Sequence, residues 1–413
     1  MKVLHVTNSF HAQSAGYRLH RGLIEQGIDS RIITGNVSID DPFLNPPKGY
    51  FEQGLSAIKN ILDQYPLKIY KRRTGGFFSP SIIPDLIVKK IKAENPSIVH
   101  LHWICGGFIQ IESLKKIPYP IIWTLHDSWP FTGGCHIPYQ CQGYYNQCGY
   151  CPVLGSNHKC DLSHLGWKRK MQSWKKINFT IVPVSTWLAD CAKKSSIFHN
   201  SSINPIHNGI NVNQFKPIDK NFARIALNLP LDKKIILFGA INSTSDPNKG
   251  FQQLINALNL LSNRHLEQDI ELVVFGGKPL KNKLDFGFDI IYTGTIYDEI
   301  TLSILYASAD VFIAPSLSET LSNTVMESLA CGTPAVAFRV GGIPELIDHK
   351  QNGYLAAPYD PNDLAQGIYW ILSGEKNRYD LSRNAREKIL KDFDIQHISK
   401  KYIDLYKRTL NMP

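Results

Sequence analysis

Apolar runs of five to nine residues recur along this chain, each followed by a polar or glycine-bearing loop and then a stretch with helical spacing. The first half opens with VLHVT, the loop NSFHAQSAG and the helical stretch YRLHRGLIEQG; the strand SRIIT follows Gly27. Residues 35–80 are irregular by comparison, with a helix predicted around Gly54 to Tyr65. A helix at Leu86–Ala93 then leads to strands at Ser97–Trp103, Tyr119–Asp127 and Asn178–Ser185, and WLADCAKK supplies a further helix. The second half repeats the pattern with KKIILFGA, the loop INSTSDPNKG, the helix FQQLINALNLL and the strands DIELVVFGG and DIIYTGTI. Its last units are the strand DVFIAPS, a helix from about Asn323 closed by Gly332 and Pro334, and the strand PAVAF. Strands alternating with helices spell an α/β fold with parallel sheets. Two such α/β halves, joined near residues 205–218, imply a cleft between them, with polar ligands expected at the strand ends and the domain interface.

Length and charge sharpen this picture. A chain of 413 residues is too long for one ordinary core and suits two. No apolar stretch approaches about 18 residues, so no membrane span is expected. MKVLHVTNSF is unlike a secretory leader, and a cytoplasmic location is the expectation. The net charge of +10 is partly concentrated in KIYKRR (Lys68 to Arg73), next to Gly75, Gly76, Phe77 and Phe78. Such a run suits an anionic acceptor or the inner face of a membrane, or is simply a solvated basic face. No zinc-finger, RNA-binding or helix-turn-helix signature points to nucleic acid.

The candidate chemistry gathers at strand ends. Glu319 follows the strand DVFIAPS in its loop, and Glu327 lies about one turn into the next helix. Ser318, Thr320, Leu321 and Ser322 can offer main-chain N–H groups to a diphosphate, while Glu327 suits a sugar diol. Alternatively, Glu319 caps or salt-bridges the helix start and Glu327 is solvated on its outer face. Lys249, just before Gly250 and a helix, can reach a diphosphate and offset the charge of a departing one, or is an ordinary surface lysine. Gly16 in the first strand-to-helix loop lets main chain approach a ligand, or is purely conformational. His126 ends a strand beside Asp127, which could orient its ring; the alternative is a core histidine satisfied by main chain. His5 reads as structural, and His11, His102 and His164 are not assigned a role.

Five of the eight cysteines fall in an insertion at about 129–160: Cys135, Cys141, Cys148, Cys151 and Cys160. CGYC has knuckle spacing, and Cys135, Cys141, Cys148 and Cys151 make four soft ligands for a structural zinc, with His136 and Cys160 as spares. Disulfides are the rival if the chain is exported, and unmetallated or redox-active thiols are the other alternative.

On the pair Glu319 and Glu327 within SETLSNTVMESLACGTPAVAF, and on TLHDSWPFTGGCH and CGYCP, the chain resembles the retaining family 4 glycosyltransferases of GT-B fold, two Rossmann-like domains facing across a deep cleft. The likeness is nearest to the branch building bacterial capsular, exopolysaccharide and colanic-acid-type sugars. It implies a hexosyl- or deoxyhexosyltransferase that moves sugar from UDP-sugar or GDP-sugar to a glycan or polyprenyl-diphosphate-linked acceptor, with no catalytic metal. Glu319 would then lie near the transferred sugar, Glu327 at the ribose, Lys249 at the diphosphate, His126 at the donor sugar and Gly16 near the reacting centre. Many members carry arginine after the glycine that ends the first strand of the second domain; here Ala240 follows Gly239, and Arg339 is the candidate substitute. Gly16 lacks the common second glycine, being preceded by Ala15. The expected domains are 1–205, 206–383 and a helical segment 384–413 crossing back to the first. Two other activities are weighed: a GT-B nucleotide-sugar epimerase or hydrolase, and an inactive, zinc-stabilised sugar-nucleotide-binding protein.

Overall fold

The computed structural model describes residues 1–11, 13–37, 41–45, 49–74, 76–262, 269–279, 288–374 and 378–412. Ala12 of the first loop and Gly75 beside the basic run lie outside the described residues. The chain divides into two units, Met1–His207 together with Ile398–Pro413, and Asn208–His397.

Seven parallel strands form the sheet of the first unit, in the order β3-β2-β1-β4-β5-β6-β7. They are β1 (Lys2–Phe10), β2 (Asp29–Val37), β3 (Leu44–Asn45), β4 (Ile98–Leu101), β5 (Ile121–Leu125), β6 (Phe179–Pro183) and β7 (Ser202–Ile203). The helices between them are α1 (Ala15–Glu25), α2 (Gly49–Gln64), α3 (Ile87–Glu94), α4 (Leu162–Trp174) and α5 (Thr186–Lys194). β4 and β5 are buried at every position, as their unbroken apolar runs require when helices cover both faces. The predicted helix at Gly54 begins earlier, at Gly49, and continues as a 3-10 turn over Tyr65–Ile69.

The second unit has six parallel strands in the order β10-β9-β8-β11-β12-β13. After α6 (Lys220–Ala226) come β8 (Lys234–Gly239), α7 (Phe251–Ser262), β9 (Ile270–Phe275), β10 (Asp289–Gly294), α8 (Glu299–Ser308) and β11 (Val311–Ala314). The unit continues through α9 (Asn323–Ala330), β12 (Ala335–Phe338), α10 (Ile343–Leu346), β13 (Gly353–Ala356), α11 (Pro361–Ser373) and α12 (Arg378–Asp392). In each sheet the strand order reverses once, between β1 and β4 and between β8 and β11. The loops leaving two adjacent strands there diverge to opposite faces and open a crevice at the carboxyl edge.

α13 (Ile395–Thr409) returns the chain to the first unit. The return begins at Ile398, later than the Asn384 expected from sequence. α12 stays with the second unit because Arg386 donates to three of its carbonyls, those of Val212 (2.8 Å), Phe215 (2.7 Å) and Ala330 (2.9 Å). Ile398, Tyr402, Leu405 and Tyr406 of α13 join the core formed by Val3, Leu19 and Ile122. Their polar ends meet polar strand residues: Tyr406 Oη lies 2.7 Å from His100 Nδ1, and Tyr402 Oη 2.8 Å from Thr124 Oγ1.

Residues 129–160 contain no strand or α-helix, only 3-10 turns at Trp129–Phe131 and Gly143–Tyr145. Lys170 of α4 pins one end of this insertion. Its buried ammonium donates to the carbonyls of Trp129 and Thr132 and sits 3.5 Å from the centroid of the Trp129 ring. Burial pulls its pKa down to about 7.

Five histidines of the first unit, His5, His20, His100, His102 and His126, are held neutral by burial, which lowers every one of their pKa values. His100 falls to about 3, and His20 and His126 to about 4. Unfolding returns each to about 6.5. Their contribution to stability is therefore complete above pH 6.5 and lost as pH falls from there toward 4, at up to about 1.4 kcal/mol per pH unit for each histidine. Urea titrations between pH 7.5 and 5 will show the first unit weakening steeply, and His20→Phe will reduce that slope by about one proton's worth.

Candidate functional site

At the reversal point of the second sheet, the loop after β8 and the loop after β11 are stitched together. Leu317 N–H donates to the carbonyl of Asn248 (2.9 Å), and Asn248 Nδ2 returns a bond to the carbonyl of Ser318 (3.0 Å). Gly250 is left-handed (φ +70°), and a Cβ there would stand 1.9 Å from the Pro315 carbonyl oxygen. The close approach of the two loops thus demands glycine.

That seam brings Lys249 and Glu319 together. Lys249 Nζ lies 2.7 Å from Glu319 Oε1, and Ser316 Oγ donates to the same oxygen at 3.1 Å. The carboxylate of Glu319 raises the pKa of Lys249 above the usual lysine value, outweighing partial burial, so the ammonium is charged throughout the neutral range. A third loop braces the glutamate from behind. Gly342 N–H donates to the Glu319 carbonyl (3.0 Å), and Gly341, at φ +54°, passes so close that a Cβ would stand 1.7 Å from that oxygen.

Glu319 does not cap the helix; Ser322 does, its Oγ accepting from Val325 N–H (3.4 Å). Thr320 is half-buried and Leu321 buried within the same loop as Ser318. Glu327 is buried, which removes the solvated outer-face alternative; Tyr306 Oη donates to its Oε2 at 2.9 Å. Arg339 stands exposed just after β12. Its amide bonds the Ala356 carbonyl (2.8 Å), and after burial and the Lys350 charge its own charge adds to the lowering of the His349 pKa.

In the first unit, Gly16 lies not in a loop but in the first turn of α1, buried, behind the N-cap Ser14. Its neighbourhood is the reversal between β1 and β4, where the sequence alternation of HLH places His100 and His102 on one face, with His5 opposite His100 in register. Three rings form a hydrogen-bonded chain: His5 Nδ1 to His102 Nε2 at 2.9 Å, and His102 Nδ1 to His126 Nε2 at 3.0 Å. His126 is therefore oriented by His102. Asp127 does not orient it; its Oδ2 lies 2.6 Å from His136 Nδ1. Burial alone would raise the Asp127 carboxyl, but the His136 imidazole holds it below the ordinary carboxylate range.

These pairings fix a tautomer. Each ring is neutral and carries one proton, and His102 must give one bond and accept the other. Among the described residues His5 Nε2 is buried with no partner. An orphaned lone pair is better tolerated there than an orphaned N–H, by analogy with buried backbone groups. Protons then run from His5 Nδ1 to His102, from His102 Nδ1 to His126, and end on His126 Nδ1. His126 is accordingly a hydrogen-bond donor at Nδ1.

Cys135, Cys141, Cys148 and Cys151 line one small cavity together with Pro138 and Tyr144, and none is in a disulfide. Cys151 receives backbone N–H bonds from Val153 and Leu154, and Cys148 one from Gly133. The two expected spares drop out: Cys160 is exposed and absent from the lining, and His136 is committed to Asp127 and to Ser79 Oγ (2.9 Å). Among the described residues, the group of three or more whose ligand atoms all fall within 4.8 Å is His5, His100 and His102. The thiols are not drawn in that closely. The histidine trio is poorly suited to a metal: both nitrogens of His100 face Tyr406 and Thr124 hydroxyls at 2.7 Å, and both of His102 face imidazoles.

The family model described as Glycosyltransferase Family 4 matches residues 15–214, and that described as Glycosyl transferases group 1 matches residues 232–374. An uncharacterized glycosyltransferase of Methanocaldococcus jannaschii is 26% identical over 346 residues, 76% of this chain and 84% of that protein. The sucrose-phosphate synthase of Thermosynechococcus elongatus superposes over 100% of both chains with a TM-score of 0.70 at 17% identity. Anabaena HepE in complex with UDP-glucose superposes over 99% of this chain and 100% of its own, with a TM-score of 0.64 at 14% identity. The structural likenesses establish a fold of two parallel-sheet, Rossmann-like domains of the GT-B kind.

Imidazole nitrogen NMR on histidine-labelled protein will report His126 protonated at Nδ1, and His102→Phe will release it to the Nε2-protonated form preferred in water. An Nε2–H signal for His126 in the unsubstituted protein would refute the assignment.

Proposed function

We propose that this chain, a glycosyltransferase built from a family 4 domain and a group 1 domain, moves a sugar from a nucleoside-diphosphate sugar to a glycan or polyprenyl-diphosphate-linked acceptor with retention of anomeric configuration. The observation that carries this reading is the Lys249–Glu319 pair at the reversal between β8 and β11. An incoming diphosphate competes with Glu319 for the charged Lys249 ammonium. Once that exchange is made, Lys249 and the N-terminal amides of α9 oppose the charge that grows on the leaving diphosphate. Glu319, freed from the lysine, is left beside the transferred sugar. Glu327, held by Tyr306, is assigned to the ribose hydroxyls. His126, with its proton on Nδ1, donates to an oxygen of the transferred sugar. Arg339, exposed at the same sheet edge, is the candidate for the cation that Ala240 does not provide.

HepE was captured with UDP-glucose, which supports a uridine donor here. The acceptor class agrees with surface-polysaccharide assembly at the inner face of a membrane. No helix among the described residues is long and apolar enough to cross one, so contact would be peripheral. An epimerase or hydrolase would consume the donor without acceptor.

The four cysteines around the insertion cavity suit a structural zinc. Soft thiols in an apolar pocket, two of them receiving N–H bonds, are the donor set such an ion takes. Cys135, Cys141, Cys148 and Cys151 would hold it, and with four protein ligands it would stabilise the insertion and leave the transfer chemistry to other residues.

Two measurements test these assignments. With a panel of nucleotide sugars and acceptors, Lys249→Ala will lower kcat/KM by roughly 10²–10³ and weaken UDP binding, as loss of a preorganised charge does. Glu319→Gln will lower kcat while UDP binding persists; unaltered turnover in both variants would sink the reading. For the insertion, elemental analysis will find about one zinc per chain, and Cys148→Ser will lose it together with several degrees of melting temperature. Metal-free protein whose four thiols all titrate freely would exclude the ion.

A further inference from the structure

The amphipathic pattern of α2 is turned inside out. Asp63, on the face toward the unit, is buried and accepts from the amides of Ser81 (3.2 Å) and Ile82 (2.9 Å), while Gln64 Nε2 donates to the Phe78 carbonyl (3.2 Å). Among the described side chains, the end of the helix is anchored through these polar bonds, with Leu67 the buried apolar contact of the turn that follows. Its outward face is apolar. At about 100° per residue, Ile58, Ile61, Leu62 and Tyr65 fall within an arc of roughly 100°, and all four are exposed, Ile61 by 68%. Ile69, 79% exposed at the end of the 3-10 turn, extends the stripe. Five large apolar side chains in one run along a helix are a patch, unlike apolar residues scattered singly over a surface.

The flanks of the stripe are basic. The Lys68 ammonium stands 5.0 Å from the Tyr65 ring centroid, and Lys71 and Arg72, also exposed, follow Ile69 within three residues of chain. Phe77, 72% exposed, follows the same basic run. An apolar stripe with cations at its margin matches the boundary of an anionic bilayer, where the side chains enter the acyl region and the ammonium and guanidinium groups meet headgroup phosphates. A protein partner would have to supply both an apolar groove and an acidic rim; the lipid surface supplies both everywhere.

We propose that the outward face of α2 and the following turn, through Ile58, Ile61, Leu62, Tyr65 and Ile69 with Lys68, Lys71 and Arg72 at its edge, docks the first unit on an anionic membrane. This deepens the peripheral membrane contact proposed above by naming the surface that makes it, and it does not depend on which sugar is transferred. One helix lying in the interface with a few cations gives reversible binding.

Sedimentation of the full chain with phosphatidylcholine vesicles, with and without added phosphatidylglycerol to give an anionic surface, tests this directly. The chain will pellet with the anionic vesicles and remain in solution with the neutral ones. Ile61→Glu/Ile69→Glu will reduce binding by about tenfold or more, and Lys68→Glu/Lys71→Glu/Arg72→Glu will do so in a manner that added salt mimics. Both variants alter exposed residues, and unchanged melting temperatures will show that they fold. Absence of binding to anionic vesicles, or binding that survives Ile61→Glu/Ile69→Glu, would overturn the proposal. So would a dimer in light scattering that the same double substitution dissolves without any vesicle binding, because the stripe would then cover a second copy. UDP titration and transfer to a water-soluble acceptor are read in parallel; if they persist while vesicle binding fails, the membrane surface alone is rejected.

Discussion

A single ion pair organises the second unit's chemistry. Lys249 and Glu319 are 70 residues apart and meet because β8 and β11 are adjacent parallel strands whose loops leave the same edge of the sheet. Any parallel sheet gathers such loops at its carboxyl end, but proximity alone would leave two mobile side chains. Here the Asn248 bonds, the left-handed Gly250 and the bracing by Gly341 and Gly342 fix the backbones first, so that charge meets charge with little conformational freedom left to lose. In the absence of donor the pair is self-satisfied, which keeps a half-buried ammonium from standing uncompensated. An anionic ligand such as the diphosphate proposed above could take the glutamate's place while leaving the lysine paired.

The first unit uses a different currency. Its reversal point is lined by neutral imidazoles, and information passes along them as proton position instead of charge. A buried His5 nitrogen with no partner among the described residues sets the direction of donation at His126, two rings away. Substituting either upstream histidine would therefore change what His126 offers without touching it.

Much of the fold was legible in the sequence. Unbroken apolar runs such as IIWTL and VFIA, bounded by loop signals, read as buried parallel strands, whereas the return of the last helix to a first unit was expected only from the family resemblance. The boundary of that return was not, since Arg386 binds three carbonyls distant in sequence and no periodicity reports that. At the candidate site, Lys249 and Glu319 were singled out individually, yet their mutual pairing depends on strand order, which local pattern does not encode. Asp127 was misassigned to its chain neighbour His126 because adjacency in sequence says little about direction: successive residues at a strand end point to opposite sides, and its true partner, His136, sits nine residues on, inside the insertion. His5 and His102 were passed over although the HLH alternation does place two imidazoles on one face, a signal that period-two reading could have raised. The exposed stripe on α2 was missed for the opposite reason. Its helical spacing is what a core-facing helix shows, and only burial reveals that it faces outward.

The tyrosines of α13 carry one more implication. Tyr406 closes on His100 across 306 residues of chain, and Tyr402 on Thr124 across 278. During synthesis the earlier sheet emerges with those two polar groups and an apolar face uncovered, and must wait for the entire second unit to be translated before its own last helix arrives. The part of the molecule made first is thus the part completed last. Through that interval the nascent sheet presents a vacant, helix-shaped berth, which makes it a natural client for a chaperone and the point at which a premature stop would do most harm.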